Sequence, residues 1–320
     1  MRTHSKGSAL LTVLWLTAAL SAIGLAVANN VRGETERTST GVDDVKSYFI
    51  ARGAIEQAAL HILWSGYVDA GGQPLYYRAG QPVMNLDFPD AQVTVDIIPE
   101  TSKLNPNSIP PQELLRLLAG LGVPIDRATE ITSALIDWRT PANPLQPSPF
   151  DAFYLSQTPS FLPRHASFQE NEELLQIEGM TPGLYYGESL DNSRAGLRDC
   201  LSVFGSGSAV DVNWAQPATL LAVGLSPDDV SAIVQRRTIR PIFDYREVAE
   251  LQQALGPFGQ RLTLGGHSMY TLRATARMKQ ADGKLSDLRR TLAALVQFDP
   301  PGNSRKKPVG FQVIRWFDRT

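Results

Sequence analysis

The strongest constraint on this chain is a block of uncharged, mostly apolar residues from Ser8 to Ala28, entered directly from a short basic leader that ends in Lys6-Gly7. As a helix rising about 1.5 Å per residue, a block of this length covers the roughly 30 Å hydrocarbon core of a bilayer. It predicts a membrane-spanning helix at the start of the chain. Arg2, His4 and Lys6 precede the block, whereas Glu34, Glu36, Asp43 and Asp44 dominate the stretch after it. That asymmetry keeps the leader cytoplasmic and sends the bulk of the chain to the other side.

A secretory signal peptide begins in the same way, and Ala26-Val27-Ala28 offers the pair of small residues that a signal peptidase uses. Such signals hold their apolar part to about seven to fifteen residues, and this block is longer. The other reading cuts between Gly7 and Ser8 and retains the helix. That junction resembles the class III leader of type IV pilins and pseudopilins, in which a prepilin peptidase cleaves after a glycine and methylates the new N-terminus, here Ser8.

With 320 residues, 43% of them hydrophobic, and a formal net charge of −2, the chain can build a sizeable core and more than one domain. A dedicated nucleic-acid binder would show a clustered basic excess; the dense run here, Arg305-Lys306-Lys307, reads as a solvated loop. Cys200 is alone, which excludes an internal disulfide. His4, His61, His165 and His267 show no metal-ligand spacing, and neither a Gly-x-Ser-x-Gly elbow nor a phosphate loop occurs. Catalysis is not expected. Gly205-Ser206-Gly207-Ser208 reads as a flexible connector.

Helix-compatible sequence runs on from the apolar block to about Tyr67. Val42, Val45 and Phe49, then Ile55, Ala59 and Ile62, recur at helical spacing with a phase slip at Arg52-Gly53. This is one long helix, or two with a break near Gly33 or Gly41. The aromatic residues Trp64, Tyr67, Tyr76 and Tyr77 fit a partner face and core packing equally well. Alternating apolar residues predict strands at Gln92–Ile98, His267–Met278, Thr291–Phe298 and Phe311–Phe317. The first is separated from the others by some 165 residues of helical character. Predicted helices there are Pro111–Leu118, Asp126–Arg139, Asn171–Ile177, Gln216–Val223, Pro227–Arg237 and Tyr245–Leu255. The proline-dense stretches 140–149 and 158–163 are ordered loops, punctuated by Phe150, Phe153, Tyr154 and Phe161.

A weak repeat runs through this middle section. Leu104-Asn105, then Leu114-Leu115, Gly120-Leu121-Gly122 and a helix ending in Arg139, are answered by Val212-Asn213, Leu220-Leu221, Gly224-Leu225-Ser226 and a helix ending in Arg237. Each half resembles a helix-hairpin-helix unit, a motif that offers backbone N–H groups to phosphates. Arg236, Arg237 and Arg240 would supply the charge for DNA binding; Asp228, Asp229 and Asp244 beside them argue against it.

Taken in order, Gly7-Ser8-Ala9-Leu10-Leu11, Ala51-Arg52-Gly53, Ser102-Lys103-Leu104-Asn105-Pro106-Asn107, Ala134-Leu135-Ile136-Asp137-Trp138-Arg139, Glu172-Glu173-Leu174-Leu175, Glu178-Gly179-Met180-Thr181-Pro182 and Val210-Asp211-Val212-Asn213 carry a specific resemblance over nearly the whole chain. It resembles the K-type minor pseudopilins of type II secretion systems. The resemblance implies an α+β, pilin-like fold with a large helical insertion. Its parts are a leader at 1–7, a membrane segment at 8–28, a stalk helix and first strand at 29–100, an inserted helical domain at 101–265 and the remaining strands at 266–320. It implies a non-enzymatic subunit at the pseudopilus tip that helps start assembly and export across the outer membrane. The chain would be anchored once in the inner membrane, with its C-terminal domain in the periplasm. Implied partners are the prepilin peptidase, I- and J-type minor pseudopilins and the major pseudopilin, with no nucleic acid. A minor pilin of a related pilus, or an envelope DNA-binding protein, is the alternative.

Two further expectations follow from the resemblance. Most pilins carry glutamate at the fifth mature position, to meet the N-terminal ammonium of a neighbour inside the membrane. Here that position is Thr12, which suits a subunit with nothing above it, because an unpaired charge at bilayer depth costs at least about 2.5–3.5 kcal/mol. The family is also reported to bind calcium in the insert. This chain keeps Asp137 and Asp151 as candidate ligands but lacks acids between them; Asp137 could instead pair with Arg139.

Overall fold

The first helix is unbroken: α1 spans Lys6–Leu63. The computed structural model describes residues 6–318 apart from 144, 146, 188–194, 267, 281 and 300–309. Residues 1–5 of the leader, His267 and the Arg305-Lys306-Lys307 run lie outside the described residues. Gly24, Gly33, Gly41 and Gly53 do not divide the helix. Each costs about 1 kcal/mol against alanine but, unlike proline, removes no ladder hydrogen bond, and no proline precedes Pro74.

The buried face of α1 is Ala51, Ala54, Ile55, Ala58, Ala59 and Ile62. Val42, Val45 and Phe49 do not continue it; they are 48%, 55% and 61% exposed. Six residues separate Phe49 from Ile55, about 240° around the helix, so the phase slip at Arg52-Gly53 marks the change from a solvent-facing to a core-facing stripe.

Beyond α1, Val83–Phe88 (β1) and Ala91–Pro99 (β2) form a hairpin across Pro89-Asp90. β1 is not among the strands expected from the sequence, although Met84 and Leu86 alternate as buried positions in it. The chain then leaves the sheet for the insert. Its helices are Pro111–Gly120 (α2), Ile125–Arg139 (α3), Asp151–Leu155 (α4) and Pro182–Tyr186 (α5). After Val210–Asp211 (β3) come Pro217–Ala222 (α6), Pro227–Ile239 (α7) and Tyr245–Ala254 (α8). Leu262–Thr263 (β4) then pairs in parallel with β3. Asn171–Gln176 is a 3₁₀ segment rather than an α-helix: its ends are closed by three-residue bonds, from the Glu173 N–H to the Glu170 carbonyl and from the Ile177 N–H to that of Leu174, and Ile177 is already extended.

Met269–Met278 (β5), Arg290–Phe298 (β6) and Phe311–Phe317 (β7) complete a sheet of order β1-β2-β5-β6-β7, in which neighbours are antiparallel. Val93, Val95 and Ile97 of β2, Leu272, Ala274 and Ala276 of β5 and Leu292, Ala294 and Val296 of β6 face α1. The alanines on both sides let helix and sheet approach closely, and Ile55 is fully enclosed, a burial worth roughly 1.5–3 kcal/mol. A second, larger core belongs to the insert and is built from Leu114, Leu117, Ile131, Leu135, Trp138, Tyr154, Leu220 and Ile233, among others.

The two halves of the sequence repeat carry the same order of elements. Each half is a short helix, a tight turn and a longer helix, and Gly122 and Gly224 take φ values of 83° and 104° in the turns, a region that favours glycine. The halves meet at Gly120, where a Cβ would lie 3.1 Å from the Ala218 Cα.

Candidate functional site: the stem, the insert and the joint between them

From Leu10 to Lys46 the side chains of α1 are exposed almost throughout, a bare stem of about 55 Å. Among the described residues this helix, from Leu10 onward, is the one long and apolar enough to cross a membrane, and none of its most apolar stretch is covered by the head. The Gly7-Ser8 junction falls at the start of α1, and Thr12 follows on the exposed part with a hydroxyl where a carboxylate would carry charge.

The insert sits at the end of the sheet far from this stem, and the strand register shows it. Arg290 opens β6 opposite Ala276, and its guanidinium reaches Asp44 at 3.4 Å and the Tyr48 ring at 5.6 Å, so this end of the sheet faces the stem. The insert departs and returns at the other end, where Pro99 pairs with Tyr270.

The joint between the two cores is polar and buried. Glu100, 2% exposed, accepts hydrogen bonds from Thr271 Oγ1 (2.6 Å) and Lys103 Nζ (3.2 Å). Burial opposes its charge, but Lys103 together with the hydroxyls of Ser202 and Thr271 outweighs burial and lowers the carboxyl pKa. The Asp211 carboxylate accepts from the backbone N–H groups of Gly265 (2.6 Å), Trp214 (2.8 Å) and Asn213 (3.0 Å). Burial nevertheless pushes its pKa up to about 6. The Asn213 Nδ2 donates to the carbonyls of Gly80 (3.0 Å) and Ile242 (2.8 Å), and its Oδ1 accepts from the Ile242 N–H (2.9 Å). One side chain thus ties the end of the insert to the turn before β1. The sequence signal for it was the Val210-Asp211-Val212-Asn213 motif, which shows a turn but not what the turn holds.

The arginines that close the two halves of the repeat are internal clamps. Arg139 donates to the carbonyls of Pro106 (2.6 Å) and Ile109 (2.8 Å), and Arg237 to those of Val212 (3.0 Å) and Ala215 (2.7 Å). In each half the guanidinium returns to the asparagine turn where that half begins. Arg139 is therefore not the partner of Asp137. Arg236 and Arg240 both pair with Glu247 at 2.8 Å. Of the three arginines that DNA binding would use, Arg237 is thus turned inward and Arg236 and Arg240 are paired with a carboxylate at the surface.

Asp137 and Asp151 are brought together, with a ring between them. His165 Nε2 lies 3.2 Å from Asp151 Oδ1, and Nδ1 lies 3.3 Å from the Asp137 carbonyl oxygen. Asp137 Oδ2 accepts from Ser148 Oγ at 2.7 Å. Burial works against a charged ring, but the hydrogen bonds to Asp151 and the Asp137 carbonyl, with the two carboxylates, raise the His165 pKa overall. Calcium takes about six to eight oxygens. The carboxylates available are two, held apart by an imidazole, and no group of three or more His, Cys, Asp or Glu among the described residues is placed to hold a metal ion. The donor set does not fit the ion.

Other expectations fare variously. Gly205-Ser206-Gly207-Ser208 is not a free connector: Ser206 N–H donates to the Lys103 carbonyl, the Asn105 N–H to that of Ser206, and a Cβ on Gly205 would lie 2.7 Å from the Lys103 oxygen. Tyr77 is core, whereas Trp64, Tyr67 and Tyr76 form a partly exposed ring cluster with His61. Cys200 is fully buried, and burial pushes its thiol up to about 12, which suppresses the reactive thiolate.

The family model described as type II secretion system (T2SS), protein K matches residues 90–187, from β2 through α5. The type II secretion system protein K of Klebsiella pneumoniae is 27% identical over 257 residues, which cover 75% of this chain and 76% of that protein. Among solved structures, a chain of the GspK-GspI-GspJ complex from the enterotoxigenic Escherichia coli type 2 secretion system aligns with a TM-score of 0.49 at 16% identity, over 91% of this chain and 99% of the other.

Proposed function

We propose that this chain is a protein K-type minor pseudopilin of a type II secretion system, one that caps the tip of a pseudopilus and helps start its assembly, a reading supported by the match of residues 90–187 to the protein K family model and by the likeness to the Klebsiella pneumoniae protein. The observation that carries this reading is the position of the insert. A pilin-like subunit stacks through its helix and sheet, and here the end of the sheet away from the stem carries a second domain with its own core. A further subunit placed above would meet that domain. Thr12 supports the same position, since a tip subunit has no incoming ammonium for a carboxylate to neutralise.

In this reading α1 anchors the chain once in the inner membrane, and the head lies in the periplasm. The prepilin peptidase removes residues 1–7, and Ser8 becomes the methylated N-terminus. The bare stem packs among the helices of I- and J-type minor pseudopilins and, below them, the major pseudopilin. The role is one of assembly and not catalysis. The test is to co-express the full chain with the I- and J-type subunits, extract the membranes in detergent and purify by a tag on this chain. Stoichiometric recovery of both partners is expected. Recovery of the chain alone, or with the subunits of a type IV pilus instead, overturns the proposal.

A further inference from the structure

The segment after α3 is where the family resemblance leads one to expect calcium, and it is closed by a different device. No acidic residue lies between Asp137 and Asp151. Of the two carboxylates, Asp137 is engaged through Oδ2 by the Ser148 hydroxyl, and Asp151 through Oδ1 by the His165 ring. The Ser148 Oγ also accepts from the Phe150 N–H at 3.0 Å, which holds the hydroxyl in place. We infer that in this chain the His165 imidazole takes the place of a bound metal, clasping the 148–165 loop to the end of α3 through protein groups alone.

The ring is well placed for that. Its nitrogens reach oxygens on two elements, the Asp137 carbonyl in the last turn of α3 and the Asp151 carboxylate in the first turn of α4, while its own backbone lies at the far end of the loop. His165 is also the non-glycine residue with positive φ among the described residues, at 46°. Such a conformation costs of order 1 kcal/mol or more and persists where the surroundings determine it. Beneath the clasp, Trp138 packs edge-on to Tyr154 at 5.5 Å and stacks on Phe168 at 6.0 Å, and Phe161 lies 5.4 Å from Tyr154. The loop therefore rests on an apolar floor and is closed at its rim by the ring.

The test is limited trypsin digestion of the full-length protein in detergent, following cleavage after Arg164 by mass spectrometry in EDTA and in excess calcium chloride. Wild-type protein should be cut at the same rate in both. His165→Ala and Asp151→Ala should each be cut there on the order of tenfold faster, as expected for loss of a hydrogen bond that holds a local opening closed. The double variant should be no faster than the faster single, because both changes break one interaction. Cleavage after the exposed Arg246 of α8 is the control: if His165→Ala speeds both sites alike it has unfolded, and Asp151→Ala is read in its place. Protection of the wild-type loop by calcium overturns the inference, as does wild-type cleavage in variants that keep their fold.

Discussion

Replacing Asn213 with alanine tests whether the insert is fixed to the pseudopilin domain or merely tethered to it. The side chain is 9% exposed and makes three hydrogen bonds, two to the carbonyls of Gly80 and Ile242 and one from the Ile242 N–H. Each is worth about 1 kcal/mol net, and the Ile242 N–H left without its partner in a buried site adds its own desolvation cost of about 1–3 kcal/mol. The expected destabilisation is therefore at least about 4 kcal/mol. For a domain of the insert's size this corresponds to a fall in Tm of roughly 8–16 °C. Differential scanning calorimetry of the full-length protein in detergent measures it directly. Because the joint links two cores, the variant should also split one cooperative transition into two, with the sheet and α1 melting apart from the insert. A shift under about 2 °C with a single transition would show that Asn213 does not hold the joint, and the physical case for a rigidly mounted insert would fail with it.

If, as proposed, a prepilin peptidase cuts after Gly7, the larger side chain of Gly7→Val should leave the leader attached; intact-mass measurement of the membrane fraction should find residues 1–7 still present, and a normal N-terminus at Ser8 would refute the cleavage assignment. Asp211 has a folded-state pKa of about 6 against an ordinary 3.8, so the folded protein binds its proton more tightly than the unfolded chain. The stability this contributes is fully present below about pH 3.8 and is lost as pH rises through 6, up to about 3 kcal/mol. The Tm of Asp211→Asn should therefore gain on wild type between pH 4 and pH 7, and parallel curves would contradict the assignment. Arg237→Ala should cost about 2–3 kcal/mol by freeing two carbonyls that now accept from its charged guanidinium. Arg236→Ala, whose ion pair is partly exposed, should cost under about 1 kcal/mol by chemical denaturation. Equal effects from the two would mean that Arg237 is not a clamp.

The order of elements could be read from the sequence because hydrophobic periodicity is a local property. The apolar block, the strands ending at Met278, Phe298 and Phe317 and the serine-capped start of α7 each carry their own signal within a few residues. In α7, Ser226 accepts from the Asp229 N–H and Pro227 occupies the first turn, as the residues themselves require. β1 was harder to see, since two buried positions between prolines make a weak pattern until β2 pairs with it. The exposed Val42, Val45 and Phe49 show the complementary failure: their spacing is helical, but which face is covered depends on where the sheet begins.

The site divides along the same line. The apolar helix, and the proposals made for the Gly7-Ser8 junction and the neutral Thr12, rest on residue identity, since membrane insertion and peptidase recognition act on short contiguous segments. The roles of Arg139, Arg237, Asn213 and His165 could not be read that way. A guanidinium is the same in sequence whether it faces a phosphate or two backbone carbonyls, and a histidine fourteen residues from Asp151 gives no sign that its ring will stand between that carboxylate and Asp137. What residue types dictate locally is periodicity, capping and charge. Tertiary structure alone decides which polar groups lose water together, and hence which of them must be one another's partners.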